Sequence, residues 1–136
     1  MSEPRPKILV VDDEAPIMNL CLKVLQSAGH SVTGLNRGED VLAQLTAGPV
    51  ELLVVDYKMP GIDGFEVIRR ARLIQPALRI VLMTGHGTQT VIGEASKKGL
   101  DGILVKPFTP DELSEAVAIA LSPGKEGKVF PYNPAG

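Results

Sequence analysis

Ile8-Leu9-Val10-Val11-Asp12-Asp13-Glu14 is an unbroken apolar run that ends abruptly in three carboxylates. With no polar alternation, a strand of this kind has to be covered on both faces, as in a parallel sheet flanked by helices. Leu52 to Val55, Ile80 to Met83 and Ile103 to Val105 have the same character. Ser31-Val32-Thr33-Gly34-Leu35 alternates instead, which suits an edge strand with one wetter face.

Helix patterns fill the gaps. Ile17, Leu20, Cys21, Val24 and Ala28 make an apolar stripe that Gly29 stops. Asn36-Arg37-Gly38-Glu39 and Asp63-Gly64-Phe65-Glu66 read as helix starts. Thr88 to Lys98 is a weaker helix because Gly93 lies inside it, and Gly99 ends it. Thr109-Pro110-Asp111-Glu112 carries a capping-box pattern and opens the stripe Leu113, Ala116, Val117, Ala120 and Leu121. Strand and helix thus alternate five times. Right-handed crossovers make this an α/β fold, a doubly wound, five-stranded parallel sheet in the order 2-1-3-4-5. One domain is expected over residues 1–121, followed at 122–136 by a flexible tail or linker start, SPGKEGKVFPYNPAG, rich in Pro and Gly.

The bulk properties narrow the function. A chain of 136 residues holds one domain with a sizeable core. A net charge of −2 argues against direct nucleic-acid binding. Arg69-Arg70 and Lys97-Lys98 read as solvated helix faces. Cys21 falls on an apolar stripe, reads as a core thiol and, with no second cysteine, points to a reducing compartment. No stretch is long and apolar enough for a membrane span or a signal-peptide core, so a cytoplasmic location is expected.

The chemistry collects where the apolar runs end. Asp12 and Asp13 follow the first strand, Asp56 the third, Thr84 the fourth and Lys106 the fifth. These are the carboxyl ends of parallel strands, where doubly wound folds bind ligands, and the order 2-1-3-4-5 opens its crevice between strands one and three. Singly, an Asp after a strand is usually a helix cap or turn former, a Lys before Pro a solvated loop residue, and a Thr before Gly a turn. Together they demand a cation: two like charges about 4 Å apart repel by roughly 4 kcal/mol in a partly buried setting. Hard carboxylate oxygens without a His or Cys cluster point to Mg²⁺, which keeps several waters and shares phosphate oxygens. Carboxylate, divalent cation, Lys and hydroxyl are the parts of a phosphoryl-transfer site. Asp56 is the candidate nucleophile, and an ordinary aspartate is already ionised at neutral pH.

Four stretches in this order and spacing, ILVVDDE (Ile8 to Glu14), VVDYKMPGIDG (Val54 to Gly64), MTG (Met83 to Gly85) and VKPF (Val105 to Phe108), resemble the receiver domains of bacterial two-component response regulators. The resemblance covers roughly residues 7 to 121 and implies the flavodoxin-like receiver fold. It further implies that Asp56 is phosphorylated and that Asp13, Asp56 and the backbone carbonyl of Lys58 ligate Mg²⁺, with Asp12 helping to hold the ion and its waters. Thr84 and Lys106 would bind phosphoryl oxygens, and the Lys106-Pro107 bond would be cis. The donor would be the phosphohistidine of a sensor histidine kinase or phosphotransfer protein, docking near Ile17, Met18, Pro107 and Phe108. The output surface would run from Thr88 through Leu121 and is a candidate homodimer seam. Transcription would be regulated by a parent protein, not by DNA contact of this chain.

Some positions vary within or depart from the family's pattern. Ile103 stands three before Lys106, where an aromatic ring usually reports the switch; it either forgoes that report or simply fills its place in the strand. Lys58 and His86 lie two residues after Asp56 and Thr84. They either cover the acyl phosphate and slow its loss to minutes or longer, or are solvated loop side chains. A hydrolase acting through an aspartyl phosphate is the rival reading, but it would want a second acid two residues after Asp56, where Lys58 stands. A degenerate receiver kept as an interaction surface would have lost site residues, and here none is lost.

Overall fold

A computed structural model of the chain describes residues 7–85 and 89–122 and the backbone of residues 131–132. The elements are β1 (Lys7–Val11), α1 (Ala15–Ser27), β2 (Ser31–Leu35), α2 (Gly38–Ala47), β3 (Leu52–Asp56), α3 (Gly64–Ile74), β4 (Arg79–Thr84), α4 (Gln89–Lys97), β5 (Gly102–Val105), α5 (Pro110–Leu121) and β6 (Pro131–Tyr132). All pairings are parallel, in the order β2-β1-β3-β4-β5-β6. The five expected strands stand in the expected order. The sixth was not anticipated: Pro131 and Tyr132 pair with Ile103 and Leu104, and so short a segment among Pro and Gly carries no period-two signal.

Continuous apolar runs became doubly covered strands because successive side chains point to opposite faces. Leu9, Val11, Leu53, Val55, Leu82 and Ile103 pack with Val41 of α2, Val67 and Ala71 of α3, and Val91 and Ala95 of α4. Ile8, Val10, Leu52, Val54, Met83 and Leu104 pack on the other face with Cys21 and Leu25 of α1 and Leu113 and Val117 of α5. Each fully buried aliphatic side chain contributes about 2 kcal/mol of transfer free energy. Burial, with Asp12's charge adding, pushes the Cys21 thiol up to about 12, so it stays protonated and inert in the core.

Some helix ends follow local rules and others depart from them. Thr109 and Glu112 close a reciprocal capping box, with bonds of 3.1 and 2.6 Å, and Asp63 accepts from Glu66 N at 2.9 Å. At α2, however, the cap is Arg37 and makes no side-chain bond, so the start read at Asn36 shifts by one residue. In α1 the stripe turns toward Leu25, and Ala28 lies exposed beyond the helix end. Gly64 is sterically required: a Cβ there would stand 2.5 Å from the Asp56 carbonyl oxygen. That close approach seats the start of α3 against the tip of β3.

Candidate functional site

The site grows out of the strand tips. Asp56 is the last residue of β3 and is 4% exposed. Asp12 continues β1: its N–H donates to Leu35 O at 3.1 Å, and its Oδ1 accepts from Glu14 N at 2.8 Å, which folds the loop and holds the carboxylate inward. Asp13, next along, is exposed. Lys106 continues β5, donating its N–H to Thr84 O at 2.8 Å and sending its ammonium across the tips. Thr84 is fully buried, and the Lys106-Pro107 bond is cis.

Three carboxylates converge. Asp12, Asp13 and Asp56 each offer an oxygen, all within 4.8 Å of one another. Lys106 Nζ lies 2.9 Å from Asp12 Oδ2, 3.2 Å from Asp56 Oδ1 and 2.7 Å from Glu14 Oε1. Asp12 Oδ2 is sealed from solvent, and its contact with the ammonium is an ion pair rather than an aligned hydrogen bond. One ammonium among four carboxylates leaves the pocket short of positive charge. Burial first, then the charge of Asp12, push the Asp56 carboxyl up to about 6, against the opposing pull of Lys106 and with a further push from Asp13. Asp56 is therefore not an ordinary aspartate, although roughly nine-tenths remains ionised at pH 7. For Lys106, burial pulls downward, but the contacts with Glu14 and Asp12 and the charges of Asp12 and Asp56 outweigh it and hold the ammonium charged.

This donor set suits a hard divalent cation: carboxylate oxygens, one buried and short of partners, beside exposed Asp13 that leaves room for ion-bound water. Next to it lies a cavity of about 130 Å³ lined by Glu14, Asp56, Tyr57, Lys58, Thr84, Gly85 and Lys106, large enough for a phosphoryl group. A larger cavity, of about 650 Å³, lies at the opposite end of the sheet among Pro49, Gln75, Pro76 and Arg79, remote from these groups.

Asp12, Asp13, Asp56, Lys58, Thr84 and Lys106 thus come together. His86 lies outside the described residues. Ile103 is fully buried among Val91, Ala95 and Leu82 and does not line the cavity. Glu14 was missed as a site residue. The available signal was its position, two residues past Asp12 on the same strand tip.

Among the described residues, no helix is long and apolar enough to cross a membrane. The family model for the response regulator receiver domain matches residues 8–118. The chain is 33% identical over 111 residues to sporulation initiation phosphotransferase F of Bacillus subtilis (strain 168), covering 82% of this chain and 90% of that protein. It is 35% identical over 114 residues to the transcriptional regulatory protein FixJ of Bradyrhizobium diazoefficiens, covering 84% of this chain but 56% of that protein, so it spans little more than half of that longer relative. A solved response regulator from Burkholderia pseudomallei, holding a phosphorylated aspartic acid, a calcium ion and citrate, superposes with a TM-score of 0.75 at 25% identity, over 88% of this chain and 68% of that one. Motif order, sheet order and sequence likeness agree: this chain belongs to the response regulator receiver domains, the switch modules of two-component signalling.

Proposed function

We propose that Asp56 accepts a phosphoryl group from a phosphohistidine donor and that the resulting charge switches the face built from α4, β5 and α5. The observation that carries this reading is the Asp56 carboxylate, buried at the edge of the 130 Å³ cavity with Lys106 Nζ at 3.2 Å and two further carboxylates within reach of one cation. An Asp56 oxygen forms the bond to phosphorus, while the phosphorus–nitrogen bond breaks and its electron pair returns to the imidazole. Lys106 and the Thr84 hydroxyl hold the phosphoryl oxygens. Asp12, Asp13, Asp56 and the Lys58 carbonyl would hold Mg²⁺, which when bound offsets charge on the carboxylates and the phosphoryl oxygens. Lys58, exposed at the rim, covers the acyl phosphate, and this supports slow loss of the phosphoryl group.

The donor docks over α1 and the loop after β5. Ile17 and Met18 are half-buried and Pro107 exposed there, whereas Phe108 packs into the core and acts by shaping the loop. The output face carries the signal to a second copy or to an effector, as the length of FixJ relative to this chain supports. The module works as a switch rather than as a turning-over enzyme. Incubation with acetyl phosphate and Mg²⁺ tests the reading: intact mass rises by one phosphoryl group in the wild type and stays unchanged in Asp56→Asn. Equal uptake by both proteins refutes it.

A further inference from the structure

Glu14 has a side chain 58% exposed to solvent, yet its Oε1 lies 2.7 Å from Lys106 Nζ, closer than Asp56 Oδ1 at 3.2 Å. The pair ties the loop after β1 to the loop after β5. Glu14 also lines the 130 Å³ cavity, so its carboxylate stands where phosphoryl oxygens enter. An ammonium has three N–H donors, and here three carboxylates, those of Asp12, Asp56 and Glu14, surround it. A phosphoryl group on Asp56 needs one of those positions. Asp12 is sealed in protein and Asp56 is the acceptor itself, which leaves Glu14 as the partner that water can take over at little cost.

We propose that Glu14 is a built-in counter-anion for Lys106 that the incoming phosphoryl group displaces, and that its charge discriminates against free dianionic phosphodonors. The inference rests on the reading of Asp56 as the acceptor. With acetyl phosphate, an Asp56 oxygen bonds to phosphorus, the bond from phosphorus to the acetyl oxygen breaks, and acetate leaves with the electron pair. Lys106 keeps all its protons and turns an N–H from Glu14 to a phosphoryl oxygen. Glu14 acts through Lys106 and through its charge, so it is a positioning and specificity residue, not a catalytic one.

The test follows phosphoryl uptake by intact mass in the full chain and in Glu14→Gln, which keeps the length and removes the charge. Acetyl phosphate, a dianion, is compared with phosphoramidate, a monoanion, at low and high salt with Mg²⁺ present. Glu14→Gln is expected to accelerate uptake from acetyl phosphate roughly fivefold at low salt, with a smaller gain for phosphoramidate and a gain that shrinks as salt rises. Its affinity for beryllofluoride, a monoanion, rises by the smaller factor expected for phosphoramidate. Equal or slower uptake by Glu14→Gln, or a gain independent of donor charge and salt, overturns the role of Glu14 and leaves the phosphoacceptor reading standing. Absence of uptake in both proteins overturns the phosphoacceptor reading, and this inference with it.

Discussion

The two ends of the sheet use polar side chains in opposite ways. At the amino-terminal end, polar groups satisfy backbone. Gln75 accepts from Val50 N at 3.1 Å and donates to the Leu45 and Gly48 carbonyls at 2.9 and 2.8 Å. Arg79 donates to the Ala120 and Ser122 carbonyls at 2.7 and 2.9 Å, Arg72 to the Lys98 carbonyl at 2.6 Å, and Asp101 accepts from Ile80 N at 2.7 Å. At the carboxyl-terminal end, four carboxylates crowd one ammonium and a buried oxygen of Asp12 lacks an aligned donor. One end holds the fold together. The other holds charge ready for a cation and a phosphoryl group, at a cost to the fold.

That contrast can be broken by substitution at either end. The largest effect is expected at the bottom: Gln75→Ala leaves the buried Val50 N–H and two carbonyls short of partners and lowers stability by about 2–4 kcal/mol in denaturant melts. Phosphoryl uptake per folded molecule should not change. At the top, Asp13→Asn is expected to weaken Mg²⁺ binding about tenfold by titration calorimetry, equivalent to roughly 1.4 kcal/mol, with little change in melting temperature.

Asp56→Asn sharpens the comparison by separating function from stability. The folded-state carboxyl is raised from 3.8 to about 6, so between those values the folded chain binds more protons than the unfolded one. Stability therefore falls as pH rises through that window, and the loss is complete above about 6. Asp56→Asn is expected to abolish phosphoryl uptake yet to be more stable than wild type by about 1 kcal/mol at pH 7, less than the roughly 3 kcal/mol of the full shift because water and counter-ions at the open rim screen the cluster. The difference should close as pH drops toward 4. An equally stable or weaker Asn variant at pH 7 would show that the carboxylate cluster does not strain the fold. The smallest effect belongs to Leu73→Ser: the side chain is 74% exposed near the bottom end, and stability should move by less than about 0.5 kcal/mol.

What the amino-acid sequence makes legible follows the same division. The strands were legible because burial on both faces leaves uninterrupted apolar runs such as Leu52 to Val55, and the order followed from crossover handedness and one alternating strand. Asp12, Asp13, Asp56, Thr84 and Lys106 were legible because ligand groups of this fold class sit at strand tips. What escaped depends on distance through space. Glu14 reaches Lys106 across 92 positions of sequence, and Gln75 reaches Gly48 across 27; neither has a local signature. The raised Asp56 carboxyl likewise reflects burial and neighbouring charge, and neither can be seen in the letter D. The cap of α2 escaped because Arg37 uses extended backbone alone, without a capping side chain.

The central claim is that the phosphoryl group resides on one carboxylate, that of Asp56. Phosphorylated protein treated with borohydride, which reduces an acyl phosphate to an alcohol, and then sequenced by tandem mass spectrometry tests it most directly. Homoserine is expected at position 56, and at neither position 12 nor 13. Homoserine at either of those positions, or phosphoryl retained on another residue with position 56 unchanged, would contradict it.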